Sequence, residues 1–207
     1  MYIPKTFEVT DNNKLVQFIK DNSFGILFSQ TNDVPFATHI PFLIKEHTGE
    51  HGALISHMAK ANPHWKDINN QEVLVVFQGP HAFISSLWYR EEKVVPTWNY
   101  AAVHVYGKFV RIDEKDELKQ IILDTLKIYE PDSPVLSRLD EEFFDGLLNA
   151  IVGFKIKIYK IEGKWKLNQN HSVERQQKLI DSLKSIGDHN SLEIARLMEI
   201  NVEAITK

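Results

Sequence analysis

Short apolar runs separated by polar turns fill the first half of the chain, and helical spacing governs much of the second. Asp11 is a good N-cap. Leu15, Phe18 and Ile19 follow at helical spacing, which predicts a short helix over 12–20. Residues 25–28 read as a strand. The stretch 35–44 is rich in strand formers but broken by Pro41, as expected of an edge or a bulge. Gly49 and Gly52 bracket a turn before a strand at 53–56. The continuous apolar run 73–77 predicts a fully buried strand. Gln78-Gly79-Pro80 punctuates it before alternation resumes over 81–87. A long strand is predicted over 100–112.

Asp113 opens the clearest helical pattern. Leu118, Ile121, Ile122, Thr125, Leu126 and Tyr129 share one face, and Pro131 and Pro134 stop it. Leu139, Phe143, Phe144, Leu147, Leu148 and Ile151 make a second amphipathic helix. Residues 154–161 and 164–167 read as a hairpin turning at Glu162-Gly163. Beyond Val173, helical patterns surround 179–183 and 192–198. Strands that follow one another without intervening helices argue against a parallel α/β sheet. They predict an α+β architecture, an antiparallel barrel with helices packed on it. The expected organisation is one domain over 1–170 and a helical C-terminal extension, 171–207, packed on that domain.

The chain has 207 residues, 24 Lys+Arg and 28 Asp+Glu, for a net charge of −4. That length buries about 70% of the surface the unfolded chain exposes, enough for a core without staples. The charge excludes a generally basic nucleic-acid coat protein but leaves room for a local basic patch. Cysteine is absent, which excludes disulfides, thiolate zinc sites and thiol catalysis. No leader or membrane-spanning run is read from the sequence, so a cytoplasmic protein is expected. Aromatics reach 11% beside 9 His, a composition that suits a protein holding a flat ligand.

Gly-rich nucleotide motifs are absent, so a phosphorylated ligand would be held by side chains and strand-end amides. His47 and His51 lie four apart across Thr48-Gly49, a poor metal motif, and no metal is expected. Ser56-His57-Met58-Ala59-Lys60-Ala61-Asn62-Pro63-His64-Trp65 is denser. It gathers hydroxyl, imidazole, ammonium and amide at a strand end, which suits an anionic phosphate. The plainer reading makes Asn62 an N-cap before Pro63 at the first helical position. In Thr97-Trp98-Asn99-Tyr100, Trp98 could cover a planar ring while Asn99 offers a donor and an acceptor to its edge; a core corner is the alternative. Lys155, Lys157, Lys160, Lys164 and Lys166 crowd one segment, as a solvated face or a nucleic-acid contact. From His171 onward, 5 Lys+Arg stand against 6 Asp+Glu, so the tail is no basic DNA arm.

MYIPKTFE, PFATHIPF at 35–42, SHMAKANPHW at 56–65, VLVVFQGPHAFISSLWY at 73–89, VPTWNYAAVHVYG at 95–107 and IVGFKIKIYKIEGKWKLNQN at 151–170 occur in order. Together they resemble the PaiB-type FMN-binding negative transcriptional regulators, similar in fold to the pyridoxamine-phosphate-oxidase-like split barrels. The resemblance implies an antiparallel split β-barrel, a homodimer, and FMN in a cleft between two barrels. It points to Thr38, His39, Ser56, His57, Lys60 and Asn62 for the phosphate. Backbone around Met58, with Trp98 and Asn99, would meet the ring, and Gln169 and Asn170 would close the site. The alternative function is a flavin-dependent oxidoreductase, for which no catalytic residue is identified; His57 and His104 would be mutated first. DNA, if bound, would meet the lysines of 155–166.

Overall fold

The computed structural model of the chain describes residues 1–31, 33–46, 51–132 and 141–206. The elements run in the order β1 (Glu8–Val9), α1 (Asn12–Asp21), β2 (Phe24–Thr31), β3 (Val34–Pro41), β4 (Leu43–Lys45), β5 (Ala53–Ala59), β6 (Glu72–Ile84) and β7 (Thr97–Ile112). Then come α2 (Lys115–Tyr129), α3 (Glu141–Asn149), β8 (Ile151–Lys166), α4 (Val173–Ile186) and α5 (His189–Thr206). The sheet order is β3-β2-β6-β7-β8-β5-β4, with β1 also on β8. β2 pairs antiparallel with β3 and β6, and β5 with β4 and β8. The antiparallel, helix-decorated sheet anticipated from the strand succession is present. No helix among the described residues is long and apolar enough to cross a membrane. His47, Gly49, Pro134 and Leu139 lie outside the described residues.

The chain divides into two compact units, one of residues 1–18, 78–103 and 162–207, the other of 19–77 and 104–161. The core of the second holds Phe42, Phe77, Phe109 and Phe154. Phe42 meets Phe77 and Phe154 edge-on at 5.7 and 6.2 Å, and Phe109 stacks on Phe154 at 4.6 Å. In the first, α4 and α5 bring Leu179, Leu183, Ile194 and Met198 onto Ile84, Tyr89 and Leu167. Ser172 caps α4 through Arg175 N, and Gly187 ends it in the left-handed conformation at φ 75°.

Several local expectations need correction. Gln78-Gly79-Pro80 does not interrupt β6, which runs unbroken over 13 residues. A β-carbon at Gly79 would lie 2.6 Å from the Phe18 ring, so glycine there admits α1 rather than a turn. Within the run 73–77 only Val73, Val75 and Phe77 are buried; Leu74 and Val76 are half-buried. The strand alternates after all, with one face more open than a continuous apolar run implies. The hairpin expected at Glu162-Gly163 is also absent, because β8 runs straight through both residues. Gly163 pairs with Val9 of β1, and a β-carbon on it would collide with Leu15 and come 2.9 Å from Trp165. Its glycine serves close helix-on-strand packing. Finally, Glu114 rather than Asp113 is the cap residue of α2.

Candidate functional site

β5 ends at Ala59, and the chain turns at once into a single helical turn over Pro63–Lys66. The Asn62 side chain caps that turn by accepting from His64 N at 3.0 Å, with Pro63 at its start. The capping role weighed for Asn62 is thus real, and it has a second half. Asn62 Nδ2 donates to Thr38 Oγ1 at 3.2 Å, and Thr38 Oγ1 lies 2.8 Å from His64 Nδ1. His64 Nε2 is 2.6 Å from Ser29 Oγ. One proton arrangement satisfies every atom: Asn62 donates to Thr38, Thr38 to His64 Nδ1, and His64 Nε2–H to Ser29. His64 is then neutral, in keeping with the burial that pushes its pKa below the ordinary value. This network pins the 60–66 turn to β2 and β3.

Around that pinned turn the remaining residues divide by the parity of β5. Leu54, Ser56 and Met58 face the core; Ser56 is 3% exposed and donates to the Pro41 carbonyl at 2.6 Å. His57 is half-buried on the opposite face, its pKa lowered by desolvation. Lys60 is exposed, and its backbone N–H is fixed to Ala150 O at 2.8 Å. His39 is exposed on β3, with its ring 6.4 Å from Phe24. Among the phosphate candidates, Thr38 and Asn62 share the His64 network, Lys60 and His39 are exposed, His57 is half-buried and Ser56 turns inward. Met58, whose backbone is expected to meet the ring, has its side chain in the core.

The other ring candidates, Trp98 and Asn99, belong to the unit that includes 78–103. Trp98 is 52% exposed on β7, with His81 and Phe83 beside it at ring distances of 6.0 and 5.8 Å. This is an open aromatic platform, the geometry a flat ring stacks on. Asn99 points the other way and is fully buried. Its Nδ2 lies 3.4 Å from Met198 Sδ, and its Oδ1 has no hydrogen-bond partner among the described residues. Gln169 is occupied locally, accepting from Leu167 N at 2.7 Å and donating to Trp165 O at 2.6 Å. It closes the turn after β8, where Asn168 takes a left-handed φ of 61°. His104 sits beside Tyr106 on β7.

The lysines of β8 do not form one face. Lys155 pairs with Glu117 at 3.2 Å. Lys160 lies 5.3 Å over the Tyr106 ring. Lys164 is buried against the Tyr2 and Tyr100 rings and donates to Tyr2 O. Lys166 donates to Thr97 Oγ1 and to Trp98 O. Lys157 is exposed. Alternation along a strand puts 155 and 157 opposite 160, 164 and 166.

His64 and Ser29 are the residues that local reading of the sequence misses. Within the SHMAKANPHW run His64 is one polar residue among several, and Ser29 is 35 positions away. Only the pairing of β2 with β3, which sets Leu27 opposite Thr38, brings both hydroxyls to one imidazole. Chemically, the strand-end donors suit a phosphate: an open ammonium, a half-buried imidazole and a rigidly held turn. The aromatic platform suits a planar heterocycle.

A family model described as "Putative FMN-binding domain" matches residues 1–160. The chain is 41% identical over 203 residues to "Protease synthase and sporulation protein PAI 2" of Bacillus subtilis, covering 96% of this chain and 97% of that one. Among solved structures, it resembles the flavocytochrome Anf3 of Azotobacter vinelandii (TM-score 0.61, 15% identity, 79% of this chain and 72% of that one). It also resembles the FAD and heme binding protein of Mycobacterium smegmatis (TM-score 0.59, 14% identity, 82% and 78%). At those identities the structures speak for the fold alone, the split barrel.

Proposed function

The chain belongs to the PaiB-type FMN-binding family, with FMN as its cofactor, and from that membership we propose that it is a homodimeric negative transcriptional regulator working in the cytoplasm. The observation that carries the regulatory reading is the near-full-length similarity to PAI 2, a sporulation protein by name. That similarity favours it over a flavin oxidoreductase.

The residues fit the cofactor. Lys60 supplies the full positive charge for the phosphate, with His57 and His39 as neighbouring donors on β5 and β3. Thr38 and Asn62 act through His64: they hold the turn so that Lys60 and the backbone amides beside it keep their places. Ser56 and Met58 shape the inner side of the same strand. In the proposed dimer, the partner subunit's Trp98 covers the ring, and Asn99 and Gln169 fix the ends of β7 and β8 that carry it. When bound, FMN supplies a ring able to take up and release electrons; the protein orients it and limits water around it. DNA contact, as part of the same proposal, falls to Lys157, which is exposed on β8.

The test is a fluorescence titration of purified protein with FMN and with riboflavin, after its absorption spectrum has been recorded. FMN binding much tighter than riboflavin supports a phosphate grip at the end of β5. Equal affinities would remove it, and binding of neither flavin would remove the cofactor site from this chain.

A further inference from the structure

A cleft of about 410 Å³ opens in the unit formed by residues 1–18, 78–103 and 162–207. That volume is within the ~300–1,000 Å³ of small-molecule sites. Its charged lining is cationic: Lys93, Lys166 and Arg175. Its apolar wall is Phe7, Val94 and Val95. Asn170, which the family resemblance assigns to closing the flavin site, also lines the cleft, whereas Lys93, Lys166 and Arg175 carry no flavin role.

The charges in the cleft are unevenly compensated. Arg175 is held by Glu91, with Nε 3.2 Å from Oε1 and a second bond from Nη2. Lys178 reaches the same carboxylate at 3.7 Å. Lys166 has no such counter-ion among the described residues. Its ammonium donates to the Thr97 hydroxyl and to the Trp98 carbonyl at 2.6 Å, both neutral groups. It is half-buried, and both burial and the neighbouring Lys164 lower its pKa. A partly desolvated cation beside a second cation, with no anion in reach, is a costly arrangement. A bound anion would relieve it. Two further observations mark the place. Lys93 is held at a left-handed φ of 61°, as is Asn168, which also lines the cleft and is pinned by donating to Tyr89 Oη at 2.5 Å. Non-glycine residues kept in that conformation persist where the surrounding structure over-determines them.

We propose that this cleft is a second ligand site, taking a small organic anion whose phosphate or carboxylate group sits between Lys166 and Lys93 and whose apolar part lies on Phe7, Val94 and Val95. Such a ligand would act on a flavin-carrying regulator as an effector. The anion site itself does not depend on the regulatory reading.

Isothermal titration of the FMN-loaded full chain with phenyl phosphate, benzoate and benzyl alcohol tests it. Phenyl phosphate or benzoate should bind saturably and benzyl alcohol should not, and whichever acid binds more tightly names the anionic group. Lys166→Met should weaken that binding about 10-fold or more, the effect of losing a charge-assisted contact. Lys93→Met, on an exposed loop, should weaken it in the same direction and serves if Lys166→Met fails to fold. Lys108→Met, exposed on β7, should leave it unchanged, and none of the three should change FMN affinity. Absence of saturable binding would overturn the proposal, as would equal loss in Lys108→Met. A parallel loss of FMN in Lys166→Met would assign the cleft to the flavin and overturn it too. Failure of the wild-type chain to bind FMN would count against the proposed function only, because the anion titration can be run on that same protein.

Discussion

The Nδ1 of His64 lies 2.8 Å from the hydroxyl of Thr38, and the other ring nitrogen lies 2.6 Å from Ser29 Oγ. A buried imidazole with both nitrogens engaged by hydroxyls has no room for a second ring proton without disturbing a partner. Burial holds its pKa below the ordinary 6.5, and burial acts on His57 and His171 in the same direction. In that pH range the unfolded chain binds more protons than the folded one, so stability rises with pH. Stability is complete above about pH 6.5 and falls as the pH drops through and below that value. Urea denaturation at pH 7.5 and 5.5 should show this fall. His64→Gln should cost about 1–3 kcal/mol at pH 7.5, from broken buried hydrogen bonds, and should flatten the decline. Parallel pH profiles for variant and parent would mean that His64 does not carry it.

Gly163 and Gly146 make an opposed pair. Gly163→Ala should destabilise by about 1–3 kcal/mol, because its β-carbon meets the buried Leu15 and the Trp165 ring. Gly146→Ala meets nothing within 4 Å and is exposed on helix α3, so it should stabilise by about 0.5–1 kcal/mol. Thermal melts of the two variants would show shifts of opposite sign. A neutral Gly163→Ala would contradict the packing of α1 on β8.

Lys60→Ala should weaken FMN by about 1–3 kcal/mol, the size of a charge-assisted phosphate contact. Riboflavin, lacking the phosphate, should be unaffected. Because Lys60 is exposed, the melting temperature should hold. An unchanged FMN dissociation constant would take Lys60 out of the site.

Trp98→Ala removes the centre of the exposed His81–Trp98–Phe83 platform without opening a cavity. Flavin fluorescence should be less quenched in the complex, with little change in stability. Equal quenching in mutant and parent would place the ring elsewhere.

DNA affinity, if present, should fall steeply with salt and should be reduced by Lys157→Ala. Lys164→Met should instead act through stability, since Lys164 is buried against Tyr2 and Tyr100. Fluorescence anisotropy with duplex DNA across a salt series, beside melts of both variants, separates the two effects.

The sequence by itself determined the elements whose signal is local. Periodicity gave α1, α2 and the long β7, and the cap-and-proline pair Asn62-Pro63 gave the turn after β5. The run of consecutive strands gave the antiparallel class, and the ordered motifs gave the family. What it could not determine is what depends on neighbours far along the chain. Gly79 and Gly163 look like turn glycines, because a glycine admitting Phe18 or Leu15 leaves no local trace that separates it from one bending the chain. The lysines of 155–166 look like one patch, because the sequence does not show which rings and carboxylates come to meet Lys155, Lys160 and Lys164. Asn99 and Trp98 are adjacent in sequence, yet strand alternation buries one and exposes the other, and only packing against Met198 decides which. Strand pairing sets which distant side chains share a face, so the tertiary structure alone could gather Ser29, Thr38, Asn62 and His64 around one imidazole.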